Sequence, residues 1–513
     1  MSSLPRPPRT GWASLRDLSG YQWFVLAVCC AAWSMDCMDQ QLFVLARRPA
    51  MTELVPKVAP DDARLESFGN NLKAKAREQN KPEPGDAAVL GALQSADIGD
   101  AATYATSFFM VGWAIGGICF GIMGDRVGRV KTLILTILLY AIFTGLSAFS
   151  TGPPDFYAYR LLTGLGVGGV FAAAVTLLAE TMPNNARPYT LGLFQASSVT
   201  GNCTAALTSM GLGSLKAGGS LDGLTLLSQP LSPWRIMFLL GILPALLVVV
   251  IQLKLKEPDK WLAWKASGVK QGGQYGMLFS DPRWRKNAIF GLLLALAGVV
   301  GLWGIGFFSP DLQQYVAEPQ YKAEAVEKGL ATDEQVKQNK LPDEAKKYVD
   351  GQKAYWAGIT SLVQNAGSFV GIFAFSFVTA HIGRKPTFAI FFVLAGLATA
   401  SVFLFLKTWD DIFWMIPLMG FFQLALFGGY AIYFPELFPT ALRSTGTSFC
   451  YNVGRLVAAG GPFALGMLTS NVFAAYPAPD PLRYAGVTMC SVFLLGLVAL
   501  VFLPETKDKP LPE

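Results

Sequence analysis

The sequence predicts an all-α integral membrane protein: twelve transmembrane helices in two six-helix pseudo-symmetric bundles, with both termini cytoplasmic. Three observations predict it. The 513 residues are 52% hydrophobic and only 15% charged, against about a quarter charged in soluble domains. Mostly apolar stretches of about 20 residues, the length that crosses a bilayer core, recur twelve times. Two short charged motifs recur in the two halves at matching spacing.

Taken in order, a cytoplasmic tail at 1–20 leads into the first span, Tyr21 to Ala46, which carries acids that a cleavable signal core would not. The next five spans are Ala101 to Met123, Leu133 to Ser150, Phe156 to Ala179, Tyr189 to Gly211 and Trp234 to Leu255. They complete a first bundle at 21–255, interrupted by a long outer loop at 47–100. A cytoplasmic linker at 256–286 follows. The second bundle, 287–503, holds Asn287 to Phe308, Tyr355 to Thr379, Phe388 to Leu406, Ile412 to Phe434, Ser444 to Ser470 and Tyr484 to Leu503, with a second long outer loop at 309–353. A cytoplasmic tail, 504–513, ends the chain.

Orientation follows from Lys and Arg, which short cytoplasmic loops retain. The two long loops hold 15 basic and 18 acidic residues, leaving 26 basic against 17 acidic elsewhere. With both termini inside, 20 of those 26 fall on the cytoplasmic side. The net +6 is therefore a basic inner face offset by acidic outer loops, and nucleic acid is not an expected partner. The long loops read equally as surface helices or as flexible covers. All seven cysteines lie in apolar segments and there is one histidine, His381, which argues against a disulfide framework and excludes a multi-histidine metal site. No GxxxxGK[ST] loop is present to drive work with ATP.

The internal repeat is specific. Gly121-Ile122-Met123-Gly124-Asp125-Arg126-Val127-Gly128-Arg129 follows span two, and Ile382-Gly383-Arg384-Lys385 follows span eight. Glu180 to Arg187 and Glu436 to Arg443 both read E-x-x-P-x-x-x-R, after spans four and ten. From Gly128 to Arg187 is 59 positions, and from Gly383 to Arg443 is 60. Parallel repeats of this kind describe a transporter that rocks around a midplane site.

On these residues the chain resembles the major facilitator superfamily, whose marker GxxxDRxGR is met from Gly121 to Arg129. The resemblance covers nearly all of the sequence outside the long loops. It implies gating roles for Gly121, Asp125, Arg126, Gly128, Arg129, Glu180 and Arg187, and for Gly383, Arg384, Glu436 and Arg443 in the second half. That second copy has Ala380 and His381 where Asp and Arg would stand, which implies a weaker latch. The Lys256-Glu257-Pro258 and Pro504-Glu505-Thr506-Lys507 boxes are similar to those of sugar-porter-like and organic-acid branches. The run Arg160 to Gly169 resembles aromatic-acid and sialate or lactate proton symporters.

Charge at bilayer depth costs about 2.5–3.5 kcal/mol on insertion scales and demands a partner, a cavity or a function. Asp36 and Asp39 in span one are three apart, hence on nearly the same helix face, and Arg160 in span four lies at similar depth. Two acids on one face with an Arg nearby can bind and release a proton, so Asp39 with Arg160 is read as the proton-coupling pair and Asp36 as its modulator. A packing ion pair is the alternative. Arg455, well inside span eleven, suits a carboxylate bound through two parallel hydrogen bonds; pairing with an internal acid or helix end is the alternative. Asn452, Gln195, Trp303, Gln364 and Asn365 are further candidates to line the substrate cavity, or to join helices.

The expected function is proton-coupled symport of a small organic anion, a mono- or aromatic carboxylate, across the cell membrane by alternating access. Sodium in place of the proton stays open, and no cofactor beyond the ion gradient is implied. The expected partners are the organic acid and the lipid bilayer, with the chain a monomer. A sugar, polyol or drug transporter of the same fold is the nearer alternative and a non-transporting membrane sensor the farther one. No enzyme is expected, since no nucleophile, base and orienter can be assembled.

Overall fold

The computed structural model describes residues 11–78, 85–217, 220–221, 223–226, 229–267, 273–337, 341–458, 460–473, 476 and 480–512. Arg6 and Arg9 of the tail and Lys270 of the linker lie outside them. After a 3₁₀ turn at Gly11–Asp17 come α1 (Gly20–Leu54), α2 (Arg64–Glu78), α3 (Asp86–Arg126), α4 (Arg129–Ser147), α5 (Pro153–Thr181) and α6 (Arg187–Ala217). They are followed by α7 (Pro233–Leu240), α8 (Pro244–Lys254), α9 (Asp259–Ala266), α10 (Tyr275–Ser280), α11 (Pro282–Val299), α12 (Ser309–Glu327) and α13 (Asp333–Lys337). The remainder are α14 (Asp343–Ile382), α15 (Arg384–Phe405), α16 (Trp409–Leu437), α17 (Arg443–Ser448), α18 (Gly454–Ala458), α19 (Gly461–Met467), α20 (Asp480–Met489) and α21 (Val492–Phe502). A two-residue antiparallel pairing, Thr225–Leu226 with Gln229–Pro230, is the sheet present among the described residues.

The helix starts follow local chemistry. Ser19 and Gln22 close a capping box on α1 through bonds of 3.2 and 2.9 Å, satisfying orphan N–H groups of the first turn. Asp155 accepts from the Thr151 and Gly152 amides at the start of α5. Asp411 does the same for Lys407 and Thr408 at the start of α16, so the repeat extends to these caps.

Helices occupy all twelve predicted stretches, but the stretches are not equally long, apolar or regular. Among the described residues nine helices are long and apolar enough to cross a membrane, or ten if the turn at Gly11–Asp17 and α1, bent by 115°, count as one. The run α6 falls outside because Gln195, Ser197, Ser198, Thr200, Asn202 and Thr204 dilute its hydropathy. Span eleven falls outside because it is segmented: π-helical turns at Phe449–Val453 and Leu468–Val472 break it. Span seven also ends in a π turn, Val300–Ile305. The loop boundaries move too, since α1 runs to Leu54, α3 begins at Asp86 and α14 at Asp343. Of the two readings of the long loops, the described parts are largely helical.

In the first half α3 and α4 pack on α5 and α1 on α6; in the second α14 and α15 pack on α16 and α11 on α21. The halves meet where α14 and α16 touch α6, and where α17 touches α3 and α5. Small residues permit the closest of these contacts. A Cβ on Gly116 would stand 2.0 Å from the Leu165 carbonyl oxygen, and one on Gly371 2.0 Å from that of Phe421. Gly116→Val or Gly371→Val is therefore expected to lower the melting temperature in detergent sharply, because a backbone atom cannot step aside; overpacking costs typically about 1–3 kcal/mol. Gly213→Ala, which meets nothing within 4 Å, is expected to leave it unchanged.

Candidate functional site

At the end of the bundle that carries the basic turns, buried charges join the two halves. Arg129 donates to Glu180 at 3.1 and 3.0 Å, to the Gly124 carbonyl at 2.7 Å and to the Thr440 carbonyl at 2.8 Å. It also stands 3.2 Å from Asp125. From the other half Arg443 donates to the same Glu180, to the Pro435 carbonyl at 3.1 Å and to the Pro512 carbonyl at 2.7 Å. The side chains of Arg129, Glu180, Arg443 and Asp125 are fully buried. Asp125 accepts from the Ser444 and Thr445 amides at 3.0 and 2.8 Å and from the Thr445 hydroxyl at 2.7 Å. A carboxylate there meets the positive end of α17.

The second copy keeps part of this. Arg384 forks onto Glu436 at 3.0 and 2.8 Å and, like Arg129, turns a third nitrogen to the carbonyl five residues back, Thr379. Ala380, in the place of Asp125, cannot reach across to α6. Arg187 donates to the Ala179 carbonyl as Arg443 does to that of Pro435, eight residues back in each case. Gly128 and Gly383 both have positive φ, 131° and 101°, and a Cβ on them would meet Glu257 and Glu505. Those acids accept the first amides of α4 and α15: Arg129, Val130 and Lys131 for Glu257, Arg384 and Lys385 for Glu505. Burial works against the Glu505 charge, but backbone N–H donors of Arg384, Lys385, Lys507 and Thr506 outweigh it and hold the carboxyl below its usual range. Gly121 packs against Ser448 across the halves, while Arg126 lies exposed.

Deeper in the bundle the charges are less fully partnered. Asp36 and Asp39 are both 0% exposed. Asp36 accepts from Gln40 at 2.8 Å through one oxygen; its other oxygen and both oxygens of Asp39 have no hydrogen-bond partner among the described residues. Arg160 spends two nitrogens on the Ser147 hydroxyl, at 3.2 and 2.5 Å, and lies over Phe238, Phe43 and Phe156 at 4.6–5.6 Å. Its charge reaches Asp39 through space, without a hydrogen bond between them. Arg455 is held between the rings of Trp113 and Tyr451, 4.2 and 4.3 Å from their centres, and donates Nη2 to the Tyr451 hydroxyl at 2.6 Å. Its Nε and Nη1 are buried with no partner among the described residues, and its charge acts on Asp36.

The structure thus brings Asp36, Asp39, Arg160 and Arg455 into one buried cluster. Asn452 borders it with its amide fully engaged, accepting from Trp113 Nε1 at 3.0 Å and donating to the Gly168 carbonyl and the Ser448 hydroxyl. Gln195 is buried with a free Oε1. Trp303 sits in the π turn. Gln364 packs on Gly420 and Asn365 donates to the Ser361 carbonyl of its own helix, with no hydrogen bond from either to Arg455 among the described residues.

Sequence reasoning missed Trp113, Tyr451, Ser147 and Tyr140, whose buried hydroxyl feels both aspartates. No periodicity separates them from ordinary core aromatics and hydroxyls. It also missed Arg235 and Arg483, which donate to the last carbonyls around α4 (Ala148, Ser150) and α15 (Phe403, Leu404, Leu406). A signal existed: Arg235 to Glu257 and Arg483 to Glu505 are both 22 positions.

Residues 78–271 and 354–513 match the family model described as sugar (and other) transporter. The chain belongs to this family, within the major facilitator superfamily. It is therefore a multi-pass membrane transporter and not an enzyme. The sugar (and other) transporter relatives include the cis,cis-muconate transport protein of Acinetobacter baylyi, 27% identical over 79% of this chain and 85% of that one. The sialic acid transporter of Escherichia coli is 25% identical over 71% and 74%, and the niacin transporter of Acinetobacter baylyi 25% identical over 79% and 85%. In fold the chain is similar to a proton:xylose symporter solved with 6-bromo-6-deoxy-D-glucose, with a TM-score of 0.63 and 16% identity over 96% and 98% of the two chains.

Glu180 bonds guanidinium groups from both halves, so Glu180→Gln is expected to loosen the basic end. Removing one partner from a buried ion pair costs about 3–5 kcal/mol. Labelling of Thr447→Cys, buried behind these contacts, by a water-soluble maleimide should be several-fold faster in the Glu180→Gln background than without it. Equal rates would mean that the cluster does not close this end.

Proposed function

We propose that the protein moves a small organic anion inward together with protons by alternating access. In this reading all twelve helical stretches span the bilayer, both termini are cytoplasmic, and the basic end of the bundle is the inner gate. The observation that carries the proposal is Arg455. Its Nε and Nη1 donors are buried without a partner between two aromatic rings, and a guanidinium so held suits a carboxylate, to which charge-assisted bonds are the strongest it can make. Relatives named for muconate, sialic acid and niacin support the same substrate class.

Asp39 with Arg160 is the proposed proton-coupling pair. The acid is buried near an Arg that is already hydrogen-bonded elsewhere, with the Thr144 hydroxyl as the other group that favours its charge, so a proton is a simple way to neutralise it. The inner contacts at Glu180 and Asp125 hold the resting state closed on the cytoplasmic side, and they must separate for release. Gln195, Trp303, Gln364, Asn365 and Asn452 are proposed as cavity-wall residues, with Asn452 serving the contact between halves.

Two measurements test this reading. In vesicles with an imposed pH gradient, Asp39→Asn is expected to abolish accumulation of radiolabelled cis,cis-muconate while sparing exchange; full pH-driven uptake would remove Asp39 from coupling. Arg455→Gln is expected to weaken carboxylate binding on the order of 10- to 100-fold, the worth of a hydrogen bond to a charged group. Unchanged affinity by ligand-induced thermal stabilisation would remove Arg455 from the site.

A further inference from the structure

One stripe of α3 runs against span eleven from the basic end of the bundle to Arg455. At its inner end Asp125 accepts from the Ser444 and Thr445 amides at 3.0 and 2.8 Å. Four residues deeper, a Cβ on Gly121 would stand 2.8 Å from that of Ser448. Four deeper again, the Gly117 carbonyl accepts from the Ser448 hydroxyl, and the missing side chain leaves room for Asn452, whose Nδ2 would lie 2.4 Å from a Cβ there. The next step is Trp113. Its indole N–H donates to Asn452 Oδ1 at 3.0 Å, and its ring centre lies 4.2 Å from the Arg455 guanidinium. Positions spaced by four share a helix face, so the seam that closes the basic end continues step by step to the arginine with two unused donors. Trp113 is itself held fast. Asn452, which fixes its N–H, is anchored on the Gly168 carbonyl at 3.1 Å and the Ser448 hydroxyl at 2.9 Å, and Phe109 meets the indole edge to face at 5.5 Å. On the other side of the contact Tyr451, 4.3 Å from the guanidinium, stacks on Phe171 of α5 at 3.8 Å.

From this arrangement we infer that Trp113 is a positioning residue that couples the inner gate to the anion site: it holds the Arg455 guanidinium in place for a carboxylate while the α3 seam is closed, and withdraws from it when the halves part. The inference rests on the organic-anion reading of Arg455 and extends it. Trp113 belongs to the first half, whereas Asn452 and Arg455 belong to the second. A rocking motion that separates Asp125 from the Ser444 and Thr445 amides therefore draws the same face of α3, and the indole with it, away from span eleven. Freed of that ring, the guanidinium regains rotational freedom and loses a desolvated cation–π contact that is worth about tenfold in an equilibrium constant. Such coupling is reciprocal: the closed seam favours the anion, and the anion favours the closed seam. The anion is thereby held more tightly when the inner end is closed and released as it opens.

The test is calorimetric titration of nicotinate and cis,cis-muconate into the purified full-length protein, alongside maleimide labelling of Thr447→Cys. Trp113→Leu should bind both acids about tenfold more weakly, and Trp113→Phe, which keeps a ring at the guanidinium, should recover most of that loss. Equal losses in the two variants would mark packing alone and overturn the inference, as would parent-like binding by Trp113→Leu. A double-mutant cycle reads the coupling itself. Glu180→Gln should weaken binding several-fold in the parent and much less in the Trp113→Leu background; equal weakening in both overturns the inference. Should Trp113→Leu fail to fold, the labelling decides: nicotinate at a concentration that saturates the calorimetric signal should slow modification of Thr447→Cys several-fold, and an unchanged rate overturns the inference. If Arg455→Gln binds both acids as the parent does, the underlying reading of the site fails as well. If Arg455→Gln loses binding while Trp113→Leu keeps it, the reading of Arg455 stands and only the role of Trp113 falls.

Discussion

Everything at the basic end of the bundle depends on one carboxylate that serves two guanidiniums. Glu180 binds Arg129 of its own half and Arg443 of the other, with all three side chains out of water. In a medium of low polarizability an unpaired charge is far more costly than a paired one, so the halves cannot part here without first admitting water or exchanging partners. The cost makes the contact switch-like. Asp125 adds a second tie of the same kind by closing the N-terminus of α17, and Ala380 explains why the related position of the second half adds none.

The contrast with the middle of the bundle is informative. At the basic end nearly every donor and acceptor is used, and Arg129 engages Glu180, Asp125 and two backbone carbonyls. Around Asp36, Asp39 and Arg455 several buried polar atoms lack partners among the described residues. A saturated network rigidifies; an unsaturated one retains the capacity to bind. One π turn of span eleven, Phe449–Val453, falls in the same region, where Tyr451 and Asn452 reach across to Phe171, Trp113 and Gly168. Such turns free a helix from strict repetition and commonly mark functional positions.

Much of the basic end was legible in the sequence, and for a physical reason. Its parts are local motifs at turns, where a few residue types at fixed offsets meet one backbone geometry, such as glycine at positive φ before Arg129 and Arg384. The E-x-x-P-x-x-x-R boxes carry their own construction, since each Arg folds back on the carbonyl eight residues before it. The candidate site was legible only in its charges. Asp36, Asp39, Arg160 and Arg455 stand out because charge is rare in spans. Trp113 and Tyr451 do not, because aromatic residues are ordinary there.

The sequence by itself determined the class, the repeat, the family and the few charges left at bilayer depth, because hydropathy, glycine at turns and motif spacing act over short distances. It did not determine which of the spans would be broken: the run from Arg443 to Val472 is segmented by π turns and packs against the other half. Nor could it assign partners. Arg160 meets Ser147 of α4 and Arg455 the ring of Trp113 of α3, side chains that no motif marks, and only the packing of the helices decides which neighbour each one meets.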